Sequence, residues 1–366
     1  MMKSNRSAVI GSRSYWVGLL MLVMLTFPVQ ANDVRSVLPD LTDLPAQMLR
    51  DADQSVQLAV TNAGDRLVSV GEQGIVLLSD DQGASWRQSA GVPVSVTLTA
   101  VEFVSDTDGW AVGHSGVVLK TTDAGERWQR IMTGSQLLEV IQTATNKLPE
   151  GFSGVERIQR DAAFLNGTEP ILDVYFNSEG KGWLVGAYGI ALYTTDSGET
   201  WRSGFATIEN PNSSHLYQLV TADTGLALVV GERGYAAAYS AESGNFSPFA
   251  IGYDGTFFGG LSLDSENYLL YGLRGNIWKG SSTDWQRIPS GTQASFTAAI
   301  SLPSGVMLGD VAGRLFLFSR QSNSIRELVV TADAAITDFT LNSRGELIMT
   351  TARGLKLLGL NNLEFK

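Results

Sequence analysis

Apolar and polar residues alternate in short stretches along most of this chain, and turn-forming residues separate the stretches. In the segment 171–201, residues 171–176 alternate, residues 182–185 and 190–194 form shorter apolar runs, and Trp201 begins a fourth stretch. Each stretch has the length of one β-strand, and short strands at spacings of about 8–12 residues are typical of all-β folds. The pattern therefore predicts four strands in this unit of the sequence.

The same unit recurs along the chain. Segments 70–86, 112–128 and 185–201 align without a gap, and weaker copies of their G-x-x-G turn follow. The second glycine of this turn marks seven units, at Gly74, Gly116, Gly189, Gly234, Gly275, Gly313 and Gly354. Five of the six intervals are about 40 residues long, which is the length of one propeller blade. The repeat predicts an all-β, seven-bladed β-propeller with four-stranded blades over residues 57–366.

A second turn, between the third and fourth strands, carries an Asp-x-Gly sequence followed by a tryptophan. An Asp side chain there can accept hydrogen bonds from backbone N–H groups of its own turn, the Gly can adopt positive φ, and the Trp buries a large ring. We interpret these turns as structural Asp boxes rather than as catalytic or calcium-binding sites. The three copies contain Asp81, Gly83 and Trp86; Asp123, Gly125 and Trp128; and Asp196, Gly198 and Trp201.

The one long interval contains an insertion of about 31 residues, at about 134–167. Apolar residues at helical spacing predict two short helices there, between blades 2 and 3. In a four-stranded meander, this insertion shares a face with all the G-x-x-G turns, and we call it the insertion face. The opposite face carries the Asp boxes and is called the Asp-box face. The helices are either a cap packed on blades 2 and 3 or a docking element for a partner.

The first 31 residues have the pattern of a signal peptide. A basic start precedes an apolar run of 13 residues, and Val29-Gln30-Ala31 offers small residues for cleavage before a segment 32–56. The run is short for a membrane span, which needs about 20 residues. The chain has no cysteine, so it has neither disulfides nor a lipid-modified cysteine. These features predict export to the periplasm of a Gram-negative bacterium.

Charge and composition restrict the function further. The net charge is −11, and such a surface does not suit nucleic acid, whose binding depends on neutralised phosphates. The two histidines, His114 and His215, lie about 100 residues apart and lack the spacing of metal ligands. We therefore expect no metal and no cofactor.

The V-G-x-x-G-x-x-x-x-T-x-D-x-G-x-x-W units resemble the BNR/Asp-box propellers of the photosystem II stability/assembly factor family. The resemblance extends from about residue 57 to the C-terminus and is strongest in the first three units. It implies a seven-bladed, non-enzymatic, exported scaffold that helps a membrane protein or complex to mature. We also expect the propeller to be a monomer. In non-photosynthetic Gram-negative relatives it implies a large transporter as a candidate client, of the resistance-nodulation-division (RND) type.

Four arginines flank the second turn glycine in the later units. Arg233, Arg274 and Arg353 precede it in units four, five and seven, and Arg314 follows it in unit six. On an acidic protein, this cluster on the insertion face is either paired internally, with carboxylates such as Glu232 or Asp310, or free to bind a carboxylate-bearing partner.

A glycoside hydrolase is the alternative function, because sialidases also carry Asp boxes. Such enzymes need paired carboxylates that converge on the channel. The sequence Arg287-Ile288-Pro289 is similar to a sialidase motif, but it follows Trp285 on a predicted outer strand, so we interpret it as structural.

The sequence leaves two ways of closing the propeller ring open. Either the C-terminus supplies the fourth strand of its own blade, or residues 34–38 add that strand.

Overall fold

A computed structural model describes residues 39–281, 283–361 and 363–366 of the chain. Within these residues, the chain forms seven antiparallel sheets of consecutive strands. The predicted seven-bladed propeller is confirmed, with a helical insertion between blades 2 and 3. The predicted signal peptide and residues 32–38 lie outside the described residues.

The strands follow the chain in order, so that each sheet is one blade. Blade 1 contains β1 (Gln57–Ala63), β2 (Arg66–Gly71), β3 (Val76–Ser79) and β4 (Arg87–Gln88). Blade 2 contains β5 (Leu98–Phe103), β6 (Gly109–Gly113), β7 (Val118–Thr121) and β8 (Gln129–Met132). Helices α1 (Gly134–Asn146) and α2 (Val155–Phe164) follow. Blade 3 contains β9 (Ile171–Phe176), β10 (Gly182–Gly186), β11 (Ala191–Thr194) and β12 (Arg202–Ser203).

The remaining blades repeat this arrangement. Blade 4 contains β13 (Leu216–Ala222), β14 (Gly225–Gly231), β15 (Ala236–Ser240) and β16 (Asn245–Pro248). Blade 5 contains β17 (Phe257–Ser262), β18 (Tyr268–Gly272), β19 (Ile277–Gly280) and β20 (Trp285–Ile288). Blade 6 contains β21 (Phe296–Leu302), β22 (Gly305–Asp310), β23 (Arg314–Ser319) and β24 (Ser324–Thr331). Blade 7 contains β25 (Ile336–Leu341), β26 (Leu347–Thr351) and β27 (Gly354–Leu358).

The G-x-x-G sequences form the turns between the second and third strands. In the first turn, the Ile75 N–H donates to the Glu72 carbonyl at 2.9 Å, and the two residues between them, Gln73 and Gly74, have φ of 55° and 72°. Two positive φ values define a type I′ turn, whose twist matches that of the flanking strands. The first of these positions holds a non-glycine residue in five blades: Gln73, Ser115, Tyr188, Arg233 and Arg274.

Every innermost strand contains a β-bulge one residue after it begins. The extra residues are Leu58, Thr99, Leu172, Tyr217, Phe258, Thr297 and Thr337. Innermost strands of neighbouring blades share no ladder, so side chains connect them. The Thr99 hydroxyl donates to the Ile171 carbonyl of the next blade at 2.6 Å. Thr337 does the same across the ring closure, to the Gln57 carbonyl at 2.7 Å.

The last blade has three strands within the described residues. The C-terminal segment does not complete it: the Val329 N–H of blade 6 donates to the Glu364 carbonyl at 2.9 Å, and Leu328 pairs with Phe365. Of the two closures that the sequence left open, completion of the last blade by the C-terminus is therefore not the one formed, and residues 34–38 of the other lie outside the described residues. Lys356 and Leu357 are exposed on the outermost strand, β27, and a charged side chain at a strand edge discourages further pairing.

The insertion leaves the ring and returns to it at one point. A Cβ atom on Gly134 would lie 1.7 Å from the Gly167 carbonyl oxygen, so the two ends of the excursion touch. Thr133 and Gln136 form a capping box at the start of α1. The buried faces of both helices pack on blades 2 and 3 through Leu137, Ile141, Ile158, Ala162 and Leu165. Among the described residues, the helices are too short or too polar to span a bilayer.

Candidate functional site

The three Asp boxes have one hydrogen-bond pattern. In the first, Asp81 Oδ1 accepts from the Ser79 hydroxyl at 2.8 Å and from the Ser85 N–H at 2.9 Å, and Oδ2 accepts from the Ser85 hydroxyl at 2.6 Å. The third repeats these contacts around Asp196, with Thr194 and Thr200. Hydrogen bonds to the charged form lower a carboxyl pKa. The Ser85 and Thr200 bonds accordingly lower the pKa of Asp81 and of Asp196 to about 2.

The second box keeps the backbone bonds but lacks the last hydroxyl. Asp123 accepts from the Thr121 hydroxyl and from the Arg127 backbone N–H, both at 2.9 Å, and arginine has no hydroxyl to donate a third bond. In all three boxes the carboxylate is occupied by its own turn. This arrangement stabilises a turn and leaves little free coordination for a ligand.

Each Asp-box glycine lies against the preceding blade. A Cβ atom would come within 2.6 Å of Ile348 at Gly83, within 3.1 Å of Leu78 at Gly125 and within 3.4 Å of Trp110 at Gly198. All three glycines also have φ between 83° and 90°. The accompanying tryptophans, Trp86, Trp128 and Trp201, are partly or fully buried. The boxes thus pack against the preceding blade and stabilise the contacts between blades on the Asp-box face.

The structure separates Arg314 from the other three predicted arginines. The Arg314 guanidinium donates to Asp310 Oδ2 at 2.7–2.8 Å, and Asp310 is fully buried. It also donates to the Thr292 hydroxyl. This is the internal pairing that the sequence left open, so Arg314 anchors its own turn and is not part of a free cluster.

Arg233, Arg274 and Arg353 are exposed on the insertion face. Within residues 39–281, 283–361 and 363–366, none of the three forms an ion pair. Glu232, which the sequence offered as a partner for Arg233, instead accepts the His215 backbone N–H through Oε2 at 3.0 Å. Arg233 and Arg274 occupy the first left-handed position of their turns in adjacent blades.

Sequence reasoning missed a group of carboxylates near the propeller axis. Asp173 accepts from the Leu219 N–H of the next blade at 2.7 Å, and Asp338 accepts from the Val60 N–H at 3.0 Å. Burial raises the pKa of Asp173 to about 7 and that of Asp338 to about 6. Burial, and then the Asp173 charge, raises the pKa of Glu102, which accepts from the Phe176 N–H at 2.7 Å. A polar residue in the middle of an otherwise apolar inner strand was the available signal.

These carboxylates bear on the glycosidase alternative. Glu102, Asp173 and Asp338 lie on innermost strands, and each accepts a hydrogen bond from a backbone N–H group of the next blade. These bonds give the three carboxylates a structural role between blades. Arg287 lies on the outer strand β20, as the sequence predicted. The described residues contain no cluster of three or more His, Cys, Asp or Glu side chains that could hold a metal ion.

The sequence comparisons agree with the Asp-box pattern. A family model described as photosynthesis system II assembly factor YCF48 matches residues 47–146. A photosystem II assembly lipoprotein Ycf48 from a Picosynechococcus species is 25% identical over 135 residues, which are 35% of this chain and 36% of that protein. Over its first blades, the chain is similar to Ycf48. The resemblance expected from the repeats is confirmed, although the aligned part spans about a third of the curated relative.

The solved structures show how far this Ycf48-like fold extends. A structure of YCF48 bound to D1 peptide has a TM-score of 0.63 at 15% identity and covers 87% of this chain and 100% of that one. YCF48 from Cyanidioschyzon merolae has a TM-score of 0.62 at 13% identity, with the same coverage. Streptogramin B lyase also has a TM-score of 0.62, at 14% identity, over 87% of this chain and 96% of the lyase. The same architecture therefore serves binding proteins and an enzyme.

Proposed function

We propose that this Ycf48-like propeller is a non-catalytic, exported scaffold that binds a membrane protein and assists its assembly. Two relatives support the proposal by what their names state: one is an assembly lipoprotein of photosystem II, and one was solved with a D1 peptide. The chain itself has neither a cysteine nor a described metal cluster.

The observation that carries the proposal is the free charge on the insertion face. Arg233, Arg274 and Arg353 are exposed and unpaired within the described residues of a chain whose net charge is −11. A guanidinium donates two parallel hydrogen bonds to a carboxylate, which gives geometric specificity as well as attraction. We infer that a carboxylate-bearing terminus or loop of the partner binds this face.

The finer assignments rest on the same resemblance. We propose that residues 1–31 direct export to the periplasm, that residues 57–366 act as a monomeric propeller, and that the partner is a large membrane protein, of which an RND-type transporter is one candidate. The client of a periplasmic scaffold must expose its binding segment on the periplasmic side of the membrane. This requirement limits the partner to a periplasmic loop or terminus.

Affinity capture tests the proposal. The tagged mature protein is incubated with detergent-solubilised membranes of its own bacterium, in parallel with the double variant Arg233→Glu/Arg274→Glu. The matched control is Arg344→Glu, because Arg344 is exposed in the turn between β25 and β26, on the Asp-box face. We expect the wild type and the control to retain the same membrane protein and the double variant to release it.

Two results would reject the proposal. One is retention of the same membrane protein by the double variant, which would show that the two arginines are not part of the interface. The other is hydrolysis of fluorogenic glycosides by the purified protein together with no captured membrane protein. That second result would favour the glycoside hydrolase instead.

A further inference from the structure

A cavity of about 430 Å³ lies on the insertion face, between helix α2 and the turns of blades 3 and 4. We call it the aromatic pocket. Its lining combines side chains of the insertion with side chains of the propeller: Arg160, Asp161, Phe164, Tyr188, His215 and Arg233. The pocket therefore includes one of the three exposed arginines and exists only because the insertion is present.

Three aromatic rings form one side of the pocket. Phe164 and Tyr188 meet edge to face with ring centroids 5.4 Å apart, and Tyr188 and His215 are 4.6 Å apart. The series continues toward the propeller axis through Tyr217, 6.4 Å from His215. Phe164 is 67% exposed and Tyr188 is 41% exposed. An aromatic side chain that leaves this much surface in water is typical of a binding surface rather than of a core.

The backbone holds Tyr188 in an unfavourable conformation. Tyr188 occupies the first left-handed position of its type I′ turn, with φ of 53°. A residue with a Cβ atom rarely adopts this conformation, and Asn or Gly is preferred there. Gln73 occupies the equivalent position in blade 1 and has no aromatic ring. The turn can therefore form without an aromatic ring at this position.

The charges around the pocket leave one guanidinium free. Asp161 pairs with Arg157 and with Arg160, each at 3.2 Å. The Glu232 carboxylate accepts the His215 N–H. Both acids are thus engaged, while Arg233 has no ion pair within the described residues. The pocket therefore offers a ligand an apolar surface beside a positive charge.

We propose that the aromatic pocket binds the C-terminal residue of the partner when that residue has a large apolar side chain. The side chain packs on Phe164 and Tyr188, and Arg233 binds the terminal carboxylate. A volume of 430 Å³ lies within the range of about 300–1,000 Å³ typical of ligand sites and accommodates a phenylalanine side chain. The inference rests on the proposed function and adds the chemical identity of the segment that is recognised.

Peptide binding tests this assignment with defined probes. Fluorescein-labelled decapeptides share a Gly-Ser body and end in Phe or Ala, each as a free acid and as an amide, and fluorescence anisotropy reports their affinity. For the wild type, we expect the Phe free acid to bind at least about tenfold more tightly than the Ala free acid, because burial of an aromatic side chain contributes that much. We expect it to bind about two- to fivefold more tightly than the Phe amide, because the Arg233 guanidinium is exposed and an exposed ion pair contributes less.

Matched variants assign the effect to the pocket. Tyr188→Asn removes the ring and keeps a residue suited to the turn, and Gln73→Asn makes the same change in blade 1. Phe164→Ala removes the second ring at the exposed end of α2, and Met48→Ala, at a side chain that is 60% exposed outside the pocket, is its control. We expect the two pocket variants to abolish the preference for Phe over Ala and the two controls to retain it.

The outcomes separate this inference from the proposed function. If the Phe and Ala acids bind equally and Arg233→Gln weakens both, the arginine face binds carboxylates but the aromatic pocket is not a subsite. If the preference for Phe survives Tyr188→Asn and Phe164→Ala, the pocket is again excluded. If no free acid binds, both the inference and the carboxylate-binding face are rejected.

Discussion

Asp338 in the last blade accepts a hydrogen bond from the Val60 N–H in the first blade, at 3.0 Å. The two residues are 278 positions apart, and their bond joins the two ends of the propeller at its innermost strands. Blade 7 has no described fourth strand, so closure depends on contacts of this kind. Thr337 adds a second bond across the same boundary.

Replacement of Asp338 should therefore weaken the whole ring. Asp338→Ala leaves the buried Val60 N–H without an acceptor, and an unsatisfied buried donor costs about 1–3 kcal/mol. We expect the free energy of unfolding, measured with urea, to fall by that amount. Asp223→Ala, at an exposed carboxylate in the turn between β13 and β14, is the control and should change it little. Equal stability of both variants would show that closure does not depend on Asp338.

The axial carboxyls predict an unusual dependence of stability on pH. The pKa is raised to about 7 for Asp173 and to about 6 for Asp338, so the native state holds these protons more tightly than the unfolded state does. Unfolding between about pH 4 and pH 7 therefore releases protons, and stability falls as the pH rises through this window. The slope reaches about 1.4 kcal/mol per pH unit for each group that titrates.

Urea unfolding at pH 5, 6, 7 and 8 measures this slope. We expect the stability to be highest at pH 5 and the decline to be shallower in Asp173→Asn, which cannot titrate. A stability that rises from pH 5 to pH 8 would contradict the raised pKa values.

The Asp boxes predict a local effect on acidity. The Ser85 side chain is the largest cause of the low pKa of Asp81, and the Thr200 side chain is that of Asp196. Ser85→Ala and Thr200→Val should each raise the pKa of the neighbouring aspartate toward its ordinary value, because each removes one hydrogen bond to the carboxylate. Carboxyl ¹³C chemical shifts followed against pH measure the change. An unchanged pKa in both variants would show that the backbone N–H bonds alone set it.

Arg314 and Arg233 should respond oppositely to substitution. Arg314→Ala leaves the buried Asp310 without its charged partner, so we expect a loss of about 1–3 kcal/mol in the free energy of unfolding, since the arginine is partly open to water. Partner capture by the folded variant should be retained. Arg233→Ala should leave stability unchanged and weaken capture. Reduced capture by Arg314→Ala together with normal capture by Arg233→Ala would contradict these assignments.

The repeat unit specifies most of the fold. Each of the seven marker glycines has positive φ at its turn, so a local backbone requirement appears directly in the sequence. Closure of the ring is not visible in the same way, because Asp338 and Val60 meet only after seven blades have packed. The C-terminal segment is similarly ambiguous: its alternation suits any strand edge, and it pairs with β24 rather than β27.

The candidate site was partly accessible from the sequence. The turn positions of Arg233 and Arg274 follow from the repeat, since equivalent residues occupy equivalent places in adjacent blades. The pairing of Arg314 with Asp310 could not be decided from the sequence, because the spacing of the two residues does not show whether their side chains meet. The aromatic pocket depends on how α2 returns to blade 3, and a helix period gives no such orientation. A tyrosine in a turn that favours Asn or Gly, at Tyr188, was the one signal for it.

Site-specific photocrosslinking in living cells tests the central claim most directly. A benzophenone side chain is placed at position 188 or 233, on the insertion face, or at position 344, on the Asp-box face. We predict that positions 188 and 233 crosslink to the same membrane protein and that position 344 does not. Crosslinks to that protein from position 344 alone, or no membrane-protein adduct from positions 188 and 233, would contradict the account.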